Sequence, residues 1–221
     1  MKDNMDGQGF GEGFEAFAEQ YGYNMELQEA YTPGAKDYSS VILKFKQNDI
    51  DAVLWLGSPP DSITLVRQMK ENDYAPKYLH GWKGFWTRDF PGTLGDDANY
   101  SLHDGFWSEN LPYPGAKELG QAYRDAHDGQ DSVSVGLPYA SAQVLAQSIT
   151  NADSTDPAAV RDAVWGHTFE GTAMGDVTYD EQGLASTESL ALQWMDGERK
   201  IVWPADASDY TLEWMPAWSE R

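Results

Sequence analysis

At 221 residues with 41% apolar content the chain is long enough to bury a core, so it reads as one large domain or two small ones. Its 36 acidic residues against 15 basic ones give a formal net charge of -21. This excludes duplex nucleic acid as a partner and disfavours an anionic membrane surface, because both need clustered Lys and Arg. The acids are spread between 29 aromatic residues rather than gathered in a tail. Such a distributed acidic coat keeps a protein hydrated in high salt, where screening suppresses self-repulsion, and it points to a halophilic source. With no Cys there are neither disulfides nor thiolate metal sites, and the redox environment is left open. No window approaches the run of roughly 18 apolar residues that a membrane helix requires. Residues 1–10 lack the basic and apolar pattern of a signal peptide.

In chain order, Phe10, Phe14, Phe17, Ala18 and Tyr21 fall on one helical face, with Gly22 as a C-terminal stop. Met25 to Tyr31 reads as a strand and Thr32, Pro33 and Gly34 break it; Tyr38, Val41, Ile42 and Phe45 then mark a helix. The apolar run within Asp51 to Gly57 suits a strand buried on both faces of a parallel sheet. A helix from about Asp61 to Asn72, a strand over Lys77 to His80, and an aromatic loop holding Trp82, Phe85 and Trp86 follow. Gly105 to Trp107 is a further strand, and Ala116 to Ala126 a helix. A helix runs from Gly136 to Thr150, and another starts at Pro157 behind the capping Asp156 and extends to about Trp165. Strands over Ala173 to Tyr179, Ser189 to Met195 and Lys200 to Trp203 end the pattern, the last two joined by a turn at Asp196 and Gly197. Alternating strands and helices imply a three-layer α/β architecture.

The order of four stretches resembles the branched-chain amino acid type of ABC transporter substrate-binding protein, which has a type I periplasmic-binding-protein fold. They are GQGFGEG at 7–13, YTPGAKDYSSVILKF at 31–45, the strand at 51–57 with VRQMKENDYAP at 66–76, and residues 139–203. The last carries YASAQVLAQSI, STDPAAVRDAV, GDVTYDEQG, LQWMDG and IVWP. The resemblance starts partway into the family's pattern, just after a strand that should precede GQGFGEG. It implies that most of the N-terminal lobe lies outside this sequence, and that Met1 is an internal start or the product of a truncated frame. Residues 1–130 then form the C-terminal-type lobe without its first strand, 131–185 part of the N-terminal-type lobe, and 186–221 a return crossing with C-terminal strands. It further implies an extracytoplasmic solute-binding component of an ABC importer, with a small-molecule ligand, permease subunits as partners and no cofactor. A ligand-sensing receptor of the same fold is the alternative, since fold alone does not separate the two.

Candidate ligand-binding residues follow, each beside an ordinary structural reading. Gly7, Gly9, Gly11 and Gly13 form either a flexible turn feeding a helix or a cleft-lining loop, and the resemblance puts Phe10 where an aromatic residue covers the ligand. The spacing is not that of a dinucleotide-binding loop. Trp55, Gly57 and Ser58 lie at the C-terminal end of a strand, where open α/β sheets bind ligands. Trp55 either belongs to the core or joins Phe10 in an apolar wall. Where amino-acid-binding members carry a carboxylate for the ligand's ammonium group, this chain has Lys83, beside Trp82 and followed by Phe85 and Trp86. If Lys83 faces the cleft it favours an anionic or polar ligand without an α-amino group; otherwise it is a solvated loop lysine. Tyr139 is either core or an aromatic near the cleft. Enzymatic function lacks support: His80, His103, His127 and His167 have no metal-ligand spacing, and no nucleophile elbow is present.

Overall fold

The computed structural model describes residues 5–208 and 210–221, and side chains from Gly7 onward. The chain divides into two compact units, Met1–Asp104 with Ala191–Arg221, and Gly105–Leu190. Their boundaries fall at 104/105 and 190/191.

In the first unit, α1 (Met5–Tyr21) runs straight through the glycine-rich stretch, so the turn expected there is helix instead. Its end is as the sequence suggests: Gly22 takes φ 72° and the Tyr23 amide donates to the Ala18 carbonyl at 2.8 Å, a left-handed glycine cap. The apolar stripe of α1 stays open, with Phe10, Phe17 and Tyr21 all exposed. Residues 23–30 form no strand, because a strand exists only through a ladder and no described neighbour supplies one.

The central sheet has the order β1-β2-β3-β6-β7, in which β6 is Leu190–Met195 and β7 is Glu198–Trp203. Strands β1 (Ala52–Trp55), β2 (Tyr78–Gly81) and β3 (Leu102–Gly105) are mutually parallel, with Trp55 opposite Gly81 and Gly81 opposite His103. Helix α2 (Ser39–Gln47) precedes β1, α3 (Pro59–Glu71) joins β1 to β2, and α4 (Asp89–Leu94) lies between β2 and β3. Contrary to the expectation of burial on both faces, β1 alternates: Val53 and Trp55 are buried while Ala52 and Leu54 are exposed. The buried face meets Ile42 of α2, Leu65 and Met69 of α3, and Phe85 and Phe90, and no described layer covers the other. The expected strand at 105–107 lies instead at 102–105.

The second unit holds α5 (Ala116–Ala126), α6 (Gly136–Ala152), α7 (Pro157–Asp162) and a small antiparallel pair, β4 (Phe169–Thr172) with β5 (Gly175–Val177). As the sequence indicates, Asp156 Oδ1 accepts from the Ala158 and Ala159 amides, both at 3.1 Å, and Pro157 occupies the first helical position. Helix α7 stops at Asp162, short of Trp165. The chain returns to the first unit through β6 (Leu190–Met195) and β7 (Glu198–Trp203), an antiparallel hairpin turning at Asp196 and Gly197, both with positive φ.

Candidate ligand site at the strand ends

Parallel strands β1, β2 and β3 deliver their C-terminal ends side by side, the edge at which open α/β sheets accept ligands. Three backbone features shape it. The Trp82 amide donates to the Trp55 carbonyl at 3.1 Å, carrying the β1–β2 pairing one step beyond the strands. Lys83–Phe85 then form one 3-10 turn, closed by Phe85 N donating to the Trp82 carbonyl at 2.8 Å. Gly57, Gly81 and Gly84 permit close approach here, since a Cβ on Gly84 would stand 1.9 Å from Ser62 Oγ and 2.8 Å from the Gly57 and Ser58 carbonyl oxygens.

The expected residues separate into two groups. Trp55 is 3% exposed, stacks on Tyr31 with ring centroids 4.3 Å apart, and donates from Nε1 to Ser62 Oγ at 3.0 Å. Its ring therefore serves the core, and the Phe10–Trp55 wall does not form. Phe85 is likewise fully buried against Phe90 and adds no open aromatic surface, because its neighbours turn outward as it turns in. Ser58 caps no amide with its side chain; its hydroxyl donates to Asp61 Oδ2 at 2.6 Å, and its carbonyl accepts from Ser62. Tyr139 lies on α6 of the second unit and is exposed.

The open aromatic surface consists of Phe10, Trp82 and Trp86. Phe10 is 40% exposed and its ring centroid lies 4.7 Å from that of Trp82. Trp82 in turn meets Trp86 edge-on at 6.0 Å. Lys83 does not extend into solvent alone: its Nζ lies over the Trp82 ring, 4.1 Å from the centroid.

Several polar residues that sequence reasoning passed over complete the site. Asp104, at the end of β3, accepts from Trp86 Nε1 at 3.2 Å. Burial raises its pKa, opposed by hydrogen bonds that include the Trp86 and Trp82 indoles and by the Lys83 charge. His80 Nε2 stands 4.0 Å from Asp104, but burial lowers the His80 pKa to about 4, so the ring beside Asp104 is neutral. Next to Asp104, the buried His103 donates from Nδ1 to the Asp104 carbonyl at 2.8 Å; burial holds it neutral as well, with its pKa far below the ordinary value.

Beneath the site, Asp61 is 2% exposed yet ionised. Burial pushes its pKa up, but hydrogen bonds from the Ser58 hydroxyl, the Gly34 amide and the Tyr38 hydroxyl outweigh burial and leave it below the usual carboxylate range. Asp61 thereby ties the 31–38 loop to the first turn of α3. Its signal in the sequence is the Ser-Pro-Pro-Asp run at 58–61, in which a serine at the N-terminal boundary of the helix precedes an acid by three residues.

Comparison with known proteins agrees with this geometry. Residues 2–198 match the model of a periplasmic binding protein family, and the chain belongs to that family. Among curated relatives, it is 28% identical over 204 residues to Leu/Ile/Val-binding protein homolog 7 of Brucella abortus, covering 88% of this chain and 51% of that protein. Homolog 1 from Brucella suis is 29% identical over 177 residues, covering 80% and 47%. The chain thus spans about half the length of the curated relatives it matches. Among solved structures, a putative branched-chain amino acid ABC transporter protein from Silicibacter pomeroyi superposes with a TM-score of 0.84 at 14% identity, over 98% of this chain and 60% of that one. The branched-chain amino acid transporter substrate-binding protein of Streptococcus pneumoniae, solved in complex with isoleucine, gives 0.70 at 20% identity, over 86% and 56%. The fold is that of the type I periplasmic binding proteins, and the family is a solute-binding rather than an enzymatic one.

Proposed function

We propose that this chain belongs to the extracytoplasmic solute-binding component of an ABC importer, and that it binds an amino acid or a small organic acid at the ends of β1, β2 and β3. The observation that carries the reading is the ledge of Phe10, Trp82 and Trp86 with Lys83 and Asp104 beside it, all at one strand edge. The exposed Phe10 ring and the partly buried Trp82 and Trp86 rings give a small solute apolar area, and the two charges give it orientation. Within the proposal, Phe10, Trp82 and Lys83 touch the ligand, while Trp55, Gly57 and Ser58 set the backbone on which they stand. Binding is coupled to transport by closure of two lobes over the solute, the closed form being the one a permease recognises.

The names of the relatives support an amino acid or a chemically related solute. A thermal-shift screen of amino acids and small organic acids at molar KCl, followed by calorimetry on the hits, tests the proposal. At least one solute is expected to raise the melting temperature with micromolar affinity, and that affinity should fall at least tenfold in Trp82→Ala. A screen in which no solute binds overturns the proposal.

A further inference from the structure

Asn99-Tyr100-Ser101 carries a pattern that neither the fold nor the strand edge employs. It reads Asn-x-Ser without proline in the middle, and no other asparagine of the chain is followed two residues later by Ser or Thr. In an exported protein this pattern is the acceptor for N-linked sugar, provided that the asparagine ends at the surface. Three residues also match by chance, and the local structure separates the two origins.

The asparagine stands at a corner. Residues 98–101 make a four-residue turn closed by the Ser101 amide, which donates to the Ala98 carbonyl at 3.2 Å. Asn99 at φ −57° and ψ 150°, followed by Tyr100 at φ 69°, lies near the values of a type II turn, with Asn99 at its first corner. Asn99 is partly exposed, and its Oδ1 accepts from the Asp196 amide at 2.9 Å, which fixes the carboxamide. Among the described residues nothing accepts from its Nδ2, the atom to which sugar is attached. A glycosidic bond there keeps the Oδ1 contact intact. The turn leads into the N-terminal end of β3, opposite the strand ends that form the ligand edge, so a glycan on Asn99 leaves that edge clear.

Ser101 has the opposite character. It is completely buried, its amide and carbonyl are engaged by Ala98 and Trp194, and its hydroxyl meets no partner among the described residues. A buried hydroxyl without a hydrogen bond serves the folded state less well than a methyl group would. The hydroxyl has a use before folding, when a transferase can still hold the open chain. Once the turn closes, Ser101 is out of reach and only Asn99 stays outside.

We infer that Asn99 is an N-glycan acceptor, modified during export and before the 98–101 turn closes. The donor is an oligosaccharide on a polyisoprenyl phosphate. Asn99 Nδ2 bonds to C1 of the first sugar, the bond from C1 to the phosphate oxygen breaks with its electron pair on the departing lipid phosphate, and the proton lost from Nδ2 passes to a base of the transferase. The inference rests on the extracytoplasmic part of the reading above and is independent of which solute binds.

The full chain, secreted behind an added signal peptide from a halophilic archaeal host that N-glycosylates its exported proteins, tests it by intact mass and peptide mass spectrometry. A gain of whole sugar residues is expected on the peptide that holds Asn99, absent from the same chain made in the cytosol. The gain should vanish in Asn99→Gln and Ser101→Ala and persist in Ser101→Thr. Ser101→Ala made in the cytosol should melt no lower than its parent, which separates loss of the acceptor from loss of folding. A secreted chain of unmodified mass, or a sugar that persists in Ser101→Ala, overturns the inference. Because the added signal imposes export, that result leaves the solute-binding reading standing, and failure of the solute screen in turn leaves this inference standing.

Discussion

Gly84→Ala is the most direct test of how the strand edge is packed. A Cβ at this position would lie 1.9 Å from Ser62 Oγ and 2.8 Å from two backbone oxygens, those of Gly57 and Ser58. Rotating Ser62 relieves only the first clash and gives up its hydrogen bonds to Trp55 Nε1 and the Ser58 carbonyl. Overpacking typically costs about 1–3 kcal/mol and each lost hydrogen bond about 1 kcal/mol. The sum predicts a destabilisation of roughly 3–5 kcal/mol, or about 6–20 °C in melting temperature for a domain of this size. Gly92→Ala is the control: it lies in α4 with nothing within 4 Å of the added carbon, and helix propensity predicts a gain of up to about 1 kcal/mol. Urea unfolding at constant high salt, with unchanged slope, measures both. A Gly84→Ala change below about 0.5 kcal/mol would refute the packing described at this edge.

Other expectations follow from the same structure. Asp61→Ala leaves the Gly34 amide and the Tyr38 hydroxyl without their acceptor and should cost about 3 kcal/mol by urea unfolding, whereas loss of an exposed acid such as Glu12 should be neutral. On acidification, His80 must stay neutral in the folded state down to about pH 4 while the unfolded chain takes up a proton near 6.5. The unfolded state therefore binds more protons in that window, stability falls as pH drops from about 6.5 to 4, and His80→Phe should flatten the profile. Asp61, with its lowered pKa, adds a loss of the same sign at still lower pH, below about 4. With a net charge of -21, melting temperature should rise steeply as KCl goes from about 0.1 to 1 M, where the Debye length shrinks from ~10 to ~3 Å. A flat salt response would remove the electrostatic explanation of the acidic coat.

What the sequence discloses about this molecule follows from how local each feature is. The Gly22 cap, the Asp156–Pro157 helix start and the Asp196–Gly197 turn are fixed by a few adjacent residues, and all three stand where the residues indicate. The four ordered motifs likewise lead to the family, because their identity survives without knowledge of contacts. Features that depend on remote partners are not readable in this way. Met25 to Tyr31 has the composition of a strand but no described ladder, and Leu54 belongs to an apolar run yet is 41% exposed because no described residue covers its face. Trp82, Phe85 and Trp86 are equivalent as letters, and only the 3-10 turn decides that Phe85 goes inward while the two indoles stay at the surface. Asp104 escaped notice for the same reason: it comes from a strand some twenty residues beyond Lys83, and only the parallel register of β2 and β3 brings it to the same edge.

The central claim is that a solute is held at the ends of β1, β2 and β3 by the Phe10, Trp82 and Trp86 ledge. The indole N–H signals of the nine tryptophans, followed by 15N-edited NMR during titration with the tightest hit of the solute screen, test this directly. The account predicts saturable shifts of the Trp82 and Trp86 signals, with those of Trp203 and Trp218 unmoved. Saturable binding that leaves Trp82 and Trp86 unshifted would contradict it.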